Sequence, residues 1–237
     1  MQKKQFVFFL TISLIISCDF NSGHCVSGNC ENGKGTYNFS NGDQYVGDWK
    51  DGYMHGIGTY IYVNSDKYVG EWKLNKRDGE GVYIYKKTNK KGEISNTKYE
   101  GEWKNDKREG YGEYFFEKGT NLIGETGLER YIGEFKNDLF HGKGTFIFIG
   151  GEKYIGDWKF GKQNGEGRFV TDFGDQYVGT WKDGHHNGFG ILYFPNGDRY
   201  EGEFKDDLFH GKGVLILKNE RKYSSIWYNG KEKIITN

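Results

Sequence analysis

Apolar and polar residues alternate with a period of two through most of this chain, in short runs broken by turn residues. After Gly58 come Thr59, Tyr60, Ile61 and Tyr62, which put Gly58, Tyr60 and Tyr62 on one face of a strand. Asn64-Ser65-Asp66 then turns the chain. In the next run Tyr68, Gly70 and Trp72 share a face, while Val69, Glu71 and Lys73 take the other. The two runs read as a β-hairpin. Asn41-Gly42-Asp43, Gly150-Gly151-Glu152, Gly174-Asp175 and Asn196-Gly197-Asp198 are further turn signals of the same kind.

The hairpin recurs. Tyr45-Val46-Gly47-Asp48-Trp49 returns as Tyr68, Gly70, Trp72; Tyr99, Gly101, Trp103; Tyr131, Gly133, Phe135; Tyr154, Gly156, Trp158; Tyr177, Gly179, Trp181; and Tyr200, Gly202, Phe204. A worn copy, Tyr223–Trp227, has Ser225 in the glycine's place. Gly-x-Gly lies between copies, beginning at Gly33 and ending at Gly211–Gly213. Each Tyr is followed by Gly-x-Gly after 11 residues, a fixed connection. The step from Gly-x-Gly to the next Tyr is 12 residues, except 20 after Gly79 and 21 after Gly110. Insertions therefore fall in the hairpin turns. Eight hairpins, about sixteen strands, are expected, as a stacked repeat. The fold class is all-β: an elongated, twisted antiparallel meander of about eight stacked hairpins, roughly 75 Å long at about 4.8 Å per strand. The glycine of each Tyr-x-Gly-x-Trp is expected to let a neighbouring ring lie flat over the backbone. The final repeat has no successor, which would explain Ser225.

Composition sharpens this picture. Glycine is 38 of 237 residues, and aromatics are 18% where all hydrophobics are only 35%, so rings must supply most of the core. Formal net charge is zero, which argues against nucleic acid as a partner. On the face opposite the rings run an acidic column (Asp48, Glu71, Glu102, Glu134, Asp157, Glu203) and a lysine column (Lys50 to Lys205). Interleaved opposite charges suit a solvated face. Carboxylates about 10 Å apart do not suit catalysis.

Residues 1–17 read as an export signal: Lys3 and Lys4, a short apolar run Phe6–Ile16, then Ile15-Ile16-Ser17-Cys18. That closing phrase resembles the bacterial lipoprotein signal, which implies cleavage before Cys18, its acylation, and attachment to a membrane. Removing 1–17 leaves 31 basic against 33 acidic residues. In an exported chain Cys25 and Cys30 read as a local disulfide closing the first end of the stack. A metal site with His24 is the rival and lacks a fourth ligand.

The unit GxGxYxx-turn-xYxGxWxxGxxxG resembles the MORN repeat (membrane occupation and recognition nexus) from about Gly33 to Trp227. The resemblance implies a sheet of stacked hairpins without catalytic chemistry, cofactor or metal. The chain departs from the pattern in its two long turns and in having no appended enzyme domain. The expected layout is signal 1–17, tether and cap 18–32, repeats 33–228 and tail 229–237.

Gly-x-Gly leads into a strand rather than a helix, so phosphate binding is a poor reading. His55, His141 and His210 hold one repeat position, and no nucleophile–base arrangement stands out. The insertions 86–98 and 117–130 fall in consecutive hairpins and are candidate contact loops, through Lys86, Lys87, Lys90 and Lys91 and through Asn121, Leu122 and Ile123. Tolerated surface insertions are the alternative. The expected function is a membrane-anchored scaffold for protein partners in the bacterial envelope, on its periplasmic face or at the cell surface. A phospholipid-surface module and a cell-wall glycan binder are the competing classes. End-to-end pairing through the open terminal strands is a further expectation.

Overall fold

The computed structural model describes residues 23–88, 94–116, 119–120, 126–127 and 129–233, with the side chains of 87–96 and 117–128 left aside. In chain order the strands are β1 (Gly23–Gly28), β2 (Gly33–Phe39), β3 (Gln44–Lys50), β4 (Tyr53–Ile61), β5 (Lys67–Lys73), β6 (Lys76–Thr88), β7 (Ile94–Lys104), β8 (Lys107–Phe115), β9 (Gly119–Thr120) and β10 (Thr126–Gly127). They continue as β11 (Arg130–Lys136), β12 (Leu139–Ile147), β13 (Lys153–Lys159), β14 (Lys162–Val170), β15 (Gln176–Lys182), β16 (His185–Tyr193), β17 (Arg199–Lys205), β18 (Leu208–Ile216), β19 (Lys222–Tyr228) and β20 (Lys231–Lys233). Eighteen of them form one antiparallel meander; β9 and β10 pair only with each other, and β8 pairs directly with β11. The described residues contain no helix. The sixteen expected strands are β2–β8 and β11–β19, with β1 and β20 added at the ends.

The fixed connection is more than a link. It is a second hairpin closed by two residues, Asp51-Gly52, Leu74-Asn75, Asn105-Asp106, Asn137-Asp138, Phe160-Gly161, Asp183-Gly184, Asp206-Asp207 or Asn229-Gly230, all at positive φ. Positive φ at both positions is the type I′ turn, whose twist matches that of the flanking strands. Its constant length keeps the step at 11 residues. Beyond each of the first seven turns the second strand carries two extra residues: Gly47 faces Gly58, yet Asp48 faces His55. The first glycine of Gly-x-Gly sits in this bulge, at φ +55 for Gly56 and +62 for Gly110, where only glycine is comfortable.

The second glycine faces that of the Tyr-x-Gly-x-Trp phrase in every pair. The register runs unbroken from Gly28 and Gly35 through Gly47, Gly58 and Gly70 to Gly213 and Ser225. From Gly47 and Gly58 onward a tyrosine lies over the two facing glycines of each I′ hairpin. Tyr45 folds back along its own strand, so that a Cβ on Gly47 or Gly58 would overlap its ring. The ring over the glycine thus belongs to the same strand, which corrects the expectation of a ring from a neighbour. Tyr45, Tyr68, Tyr99, Tyr131, Tyr154, Tyr177 and Tyr200 are the largest fully buried side chains. Each is wedged edge-on between its own indole or phenyl and that of the next repeat, as Tyr45 is between Trp49 (5.1 Å, 89°) and Trp72 (5.4 Å, 81°). Ser225 breaks the glycine ladder where Tyr223 is half exposed and no longer covers it. The serine hydroxyl instead donates to Glu232 on β20.

At several repeats the residue two places beyond the I′ turn closes the layer over its tyrosine. Phe140 stacks on Tyr131 at 3.8 Å, His186 on Tyr177 at 3.7 Å and Phe209 on Tyr200 at 4.0 Å. Arg77 and Arg108 take this place elsewhere, with Arg77 4.3 Å from the Trp103 ring and held by Asp106. Burial pushes the His186 imidazole down to about 4, against the opposing pull of Asp207.

Two predictions follow from this packing. A Cβ on Gly156 would lie 2.5 Å from the Glu166 carbonyl oxygen and 2.6 Å from Gly167 Cα, so backbone rather than a flexible side chain must move. Gly156→Val is expected to cost roughly 3 kcal/mol, the upper end of ordinary overpacking, read as a lower urea midpoint; an unchanged midpoint would refute the packing described. His186 is neutral in the fold, so its contribution is complete above the unfolded value of 6.5 and is lost as pH falls toward about 4. Between pH 7 and 4 the wild type should lose about 2 kcal/mol more than His186→Phe, a residue its sister positions carry. Parallel pH curves for the two proteins would contradict this.

Candidate functional site

The residues with most chemical potential are largely committed to the fold. The Tyr45 hydroxyl donates to the Asp48 carbonyl at 3.0 Å, and Tyr68, Tyr99, Tyr131, Tyr154 and Tyr177 repeat this bond at 2.9–3.1 Å. Trp49, Trp72, Trp103 and Trp158 donate their indole N–H to a glycine carbonyl on the adjacent, preceding strand, each at 3.2 Å. The buried Tyr200 hydroxyl and the Trp181 and Trp227 indole N–H groups lack such a partner.

The acidic column is structural as well as solvated. Asp48 accepts the Ile57 N–H at 3.0 Å, bridging the bulge, and Glu71, Glu102, Glu134, Asp157 and Glu203 do the same for Glu80, Tyr111, Lys143, Glu166 and Lys212. The Ile57 N–H, with help from Lys34 against burial, holds the Asp48 carboxyl below its ordinary range. Sequence alternation assigned these residues only their face. The bulge that gives them a donor is invisible without the register.

Turn residues clamp neighbouring repeats along both long edges. At the variable turns Asp43 accepts from Tyr60 Oη (2.7 Å) and Val63 N (2.8 Å), and Asp66 from Lys86 N (2.7 Å). At the I′ turns Asn75 accepts from Met54 N (2.7 Å), Asp106 from Arg77 N (3.0 Å) and Asp207 from His186 N (2.7 Å). Asp207 also takes His185 Nδ1 at 2.6 Å, which raises the His185 pKa. No cluster of histidine, cysteine or acids that could hold a metal occurs among the described residues. Cys25 and Cys30 are bonded (Cα–Cα 6.0 Å), and Cys30 Sγ lies over Gly35 as tyrosine rings lie over later glycines.

The two insertions stand side by side on one edge. The β6–β7 ladder continues from Gly79↔Trp103 out to Thr88↔Ile94, past Lys86↔Asn96 and Lys87↔Ser95. The next hairpin, β8–β11, carries the small β9–β10 ladder, and β7 pairs with β8 between them. Lys86 is exposed. Lys87 is described only in its backbone, and Lys90, Lys91, Asn121, Leu122 and Ile123 lie outside the described residues, as does Cys18.

The opposite edge presents the I′ turns. Most of their tips are Asp, Asn or Gly, but Leu74 and Phe160 occupy the left-handed region with side chains in solvent, Phe160 at 67% exposure. A depression of about 870 Å³ opens beside Phe160, among Lys159, Lys162, Lys182, Asn164 and Thr180. On the face away from the rings, shallow grooves of about 480, 440 and 390 Å³ lie along the glycine ladder beside Tyr111, Phe189 and Ile57.

The MORN repeat family matches residues 31–44, 45–67, 68–90, 99–121, 131–153, 154–171, 177–199 and 200–219. No characterised protein sequence matches the chain. Among solved structures, the TCP domain of Drosophila melanogaster SAS-4, in complex with a proline-rich motif of Ana2, is 14% identical, covering 88% of this chain and 90% of that one at a TM-score of 0.31. The TCP10 domain of Danio rerio CPAP, in complex with a STIL peptide, is 12% identical, covering 87% and 100% at 0.26. Scores this low bear on neither function nor partner. MORN repeats suggest interaction with protein or membrane and are typically a non-catalytic module. With eight family matches spread over residues 31–219, this chain belongs to the MORN-repeat family.

Proposed function

We propose that this protein is a non-catalytic scaffold, held on a bacterial membrane by acylated Cys18, whose two lengthened hairpins form the contact for a protein partner. The observation that carries the reading is the placement of both insertions on adjacent hairpins of one edge, projecting from a sheet whose register is otherwise constant. Neighbouring long turns on a rigid support make a broad contact at little entropic cost to the support. The commitment of most tyrosine, tryptophan and acidic side chains to structural hydrogen bonds supports a role without chemistry of its own.

The tether is short, since strand β1 begins at Gly23, five residues after Cys18. The first strand pair, Gly23↔Phe39, lies at the variable-turn edge, so the tether leaves from the same edge as the long hairpins. The contact would therefore form close to the anchoring membrane, within an exported envelope compartment.

Cutting residues 87–97 and 118–129 back to three-residue turns like Asn41-Gly42-Asp43 should abolish partner recovery in proximity labelling from the anchored full-length chain. The urea midpoint should stay near that of wild type. Recovery of the same partners by the shortened chain would refute the hairpin contact. Cys18→Ser should move the protein from the membrane to the soluble envelope fraction and remove the acyl mass; continued membrane partition would overturn the anchor. Co-sedimentation of the Cys18→Ser chain with anionic vesicles or with isolated peptidoglycan would instead favour the lipid or the glycan reading.

A further inference from the structure

The repeats supply their own reference, because each can be compared with its sisters at equivalent positions. The depression beside Phe160 departs from that reference at several places at once. Its counterpart around Leu74 contains Lys73, Lys76 and Lys104 with the acids Asp78, Glu102 and Glu109, which balances the charge, and Lys104 is ion-paired to Asp78 at 3.1 Å. At Phe160 the three lysines remain as Lys159, Lys162 and Lys182, but the acids have become Asn164, Thr180 and Asn187. Only Asp183 is added at the rim. None of the three lysines is ion-paired among the described residues. Glu166, which faces Thr180, has its own counterpart in Glu80, so it does not restore the balance. The acids of the next turn, Asp206 and Asp207, are directed to Asn187 (3.5 Å) and His185 (2.6 Å).

Two further departures add apolar character. Phe160 occupies a left-handed position (φ 51) where six of the seven sister turns carry Asp or Asn; Leu74 (φ 50) is the seventh, so what sets Phe160 apart is an apolar tip beside unbalanced lysines. Gly161 replaces the Asn or Asp that clamps the preceding repeat at several sister turns, and no carboxylate stands there. A large side chain is strained in that conformation, and Phe160 stays largely in solvent, with the His141 ring edge-on at 5.8 Å and the Lys159 ammonium 5.9 Å from its ring. Breaches of a local rule with little structural return concentrate at functional positions.

We infer that this depression is a second docking site, for an acidic peptide segment bearing an apolar residue. The lysines would take its carboxylates, Phe160 its apolar side chain, and the Asn164 amide its backbone, since the Thr180 hydroxyl already donates to the Phe189 carbonyl at 3.2 Å. The volume of about 870 Å³ admits a few residues. A flat anionic bilayer fits less well, because Asp183 at the rim would press a carboxylate toward its phosphates. The site goes beyond the hairpin contact and does not depend on it.

The test uses the full-length chain in neutral detergent and a fluorescein-labelled hexapeptide with four glutamates around a central Leu-Phe pair. Saturable binding that weakens with salt is expected. Asn164→Asp with Thr180→Glu restores residues that sister repeats carry, so the fold should persist, and unchanged circular dichroism would check it. That double variant and Phe160→Asp should each bind at least about tenfold more weakly, while Leu74→Asp should leave affinity unchanged. Absence of saturable binding, equal loss in Leu74→Asp, or full affinity in the double variant would each overturn the site. So would anionic vesicles outcompeting the peptide at Phe160. Failure here would leave the hairpin contact standing, since the shortened-hairpin chain is read through its own partners.

Discussion

One arrangement underlies everything else in this protein: a tyrosine ring laid flat across two facing glycines. A single-layer sheet has no second layer to bury its side chains, so it must make a core within the thickness of one face. Removing both Cβ atoms beneath the ring lowers the floor by about a side chain and lets tyrosine reach full burial. The flanking indoles then grip it edge-on, and the residue beyond the turn covers it. Burying a ring of roughly 150–250 Å² is worth about 4–6 kcal/mol as an upper bound. The seven fully buried tyrosines thus form the spine of the core. The tyrosine hydroxyl is satisfied in most repeats by the carbonyl three residues on, so this burial leaves few orphaned polar groups.

The bulge follows from the same arrangement. Both glycines must come into register, yet the tight turn must remain two residues long. Two residues are therefore extra on the second strand, and a carboxylate from the first strand satisfies one of their N–H groups. The acidic column and the positive φ of the first glycine are two views of that accommodation.

The fold was largely legible in the chain, because alternation, turn signals and an exact repeat all point to one meander. What escaped was anything set by register. The 11-residue step reads as a plain connection and contains a second hairpin; Asp51-Gly52, Asp183-Gly184 and Asn229-Gly230 carry its turn signal, while Leu74-Asn75 and Asn105-Asp106 hide it. Alternation alone points to a neighbour's ring over Gly47, because nothing in a one-dimensional pattern shows Tyr45 folding back along its own strand. Asp48 looked like a solvated charge because its donor, Ile57 N–H, is brought to it by the bulge. The two lengthened hairpins were legible as two irregular spacings. The Phe160 depression was not, since it is defined by the absence of acids at positions 164, 180 and 187, and these meet only when β14, β15 and β16 lie side by side.

The direction of the ladder hydrogen bonds has a mechanical consequence. They run along the length of the stack, perpendicular to the strands, with β1 at one end of the sheet and β20 at the other. A pull applied between the two ends of the sheet loads these bonds in peeling rather than in shear. Failure would begin at a terminal strand and travel inward one hairpin at a time, each step releasing a repeat's length of chain at low force. Under tension the protein would pay out as an extensible tether, and the repeats still stacked would keep their surfaces intact.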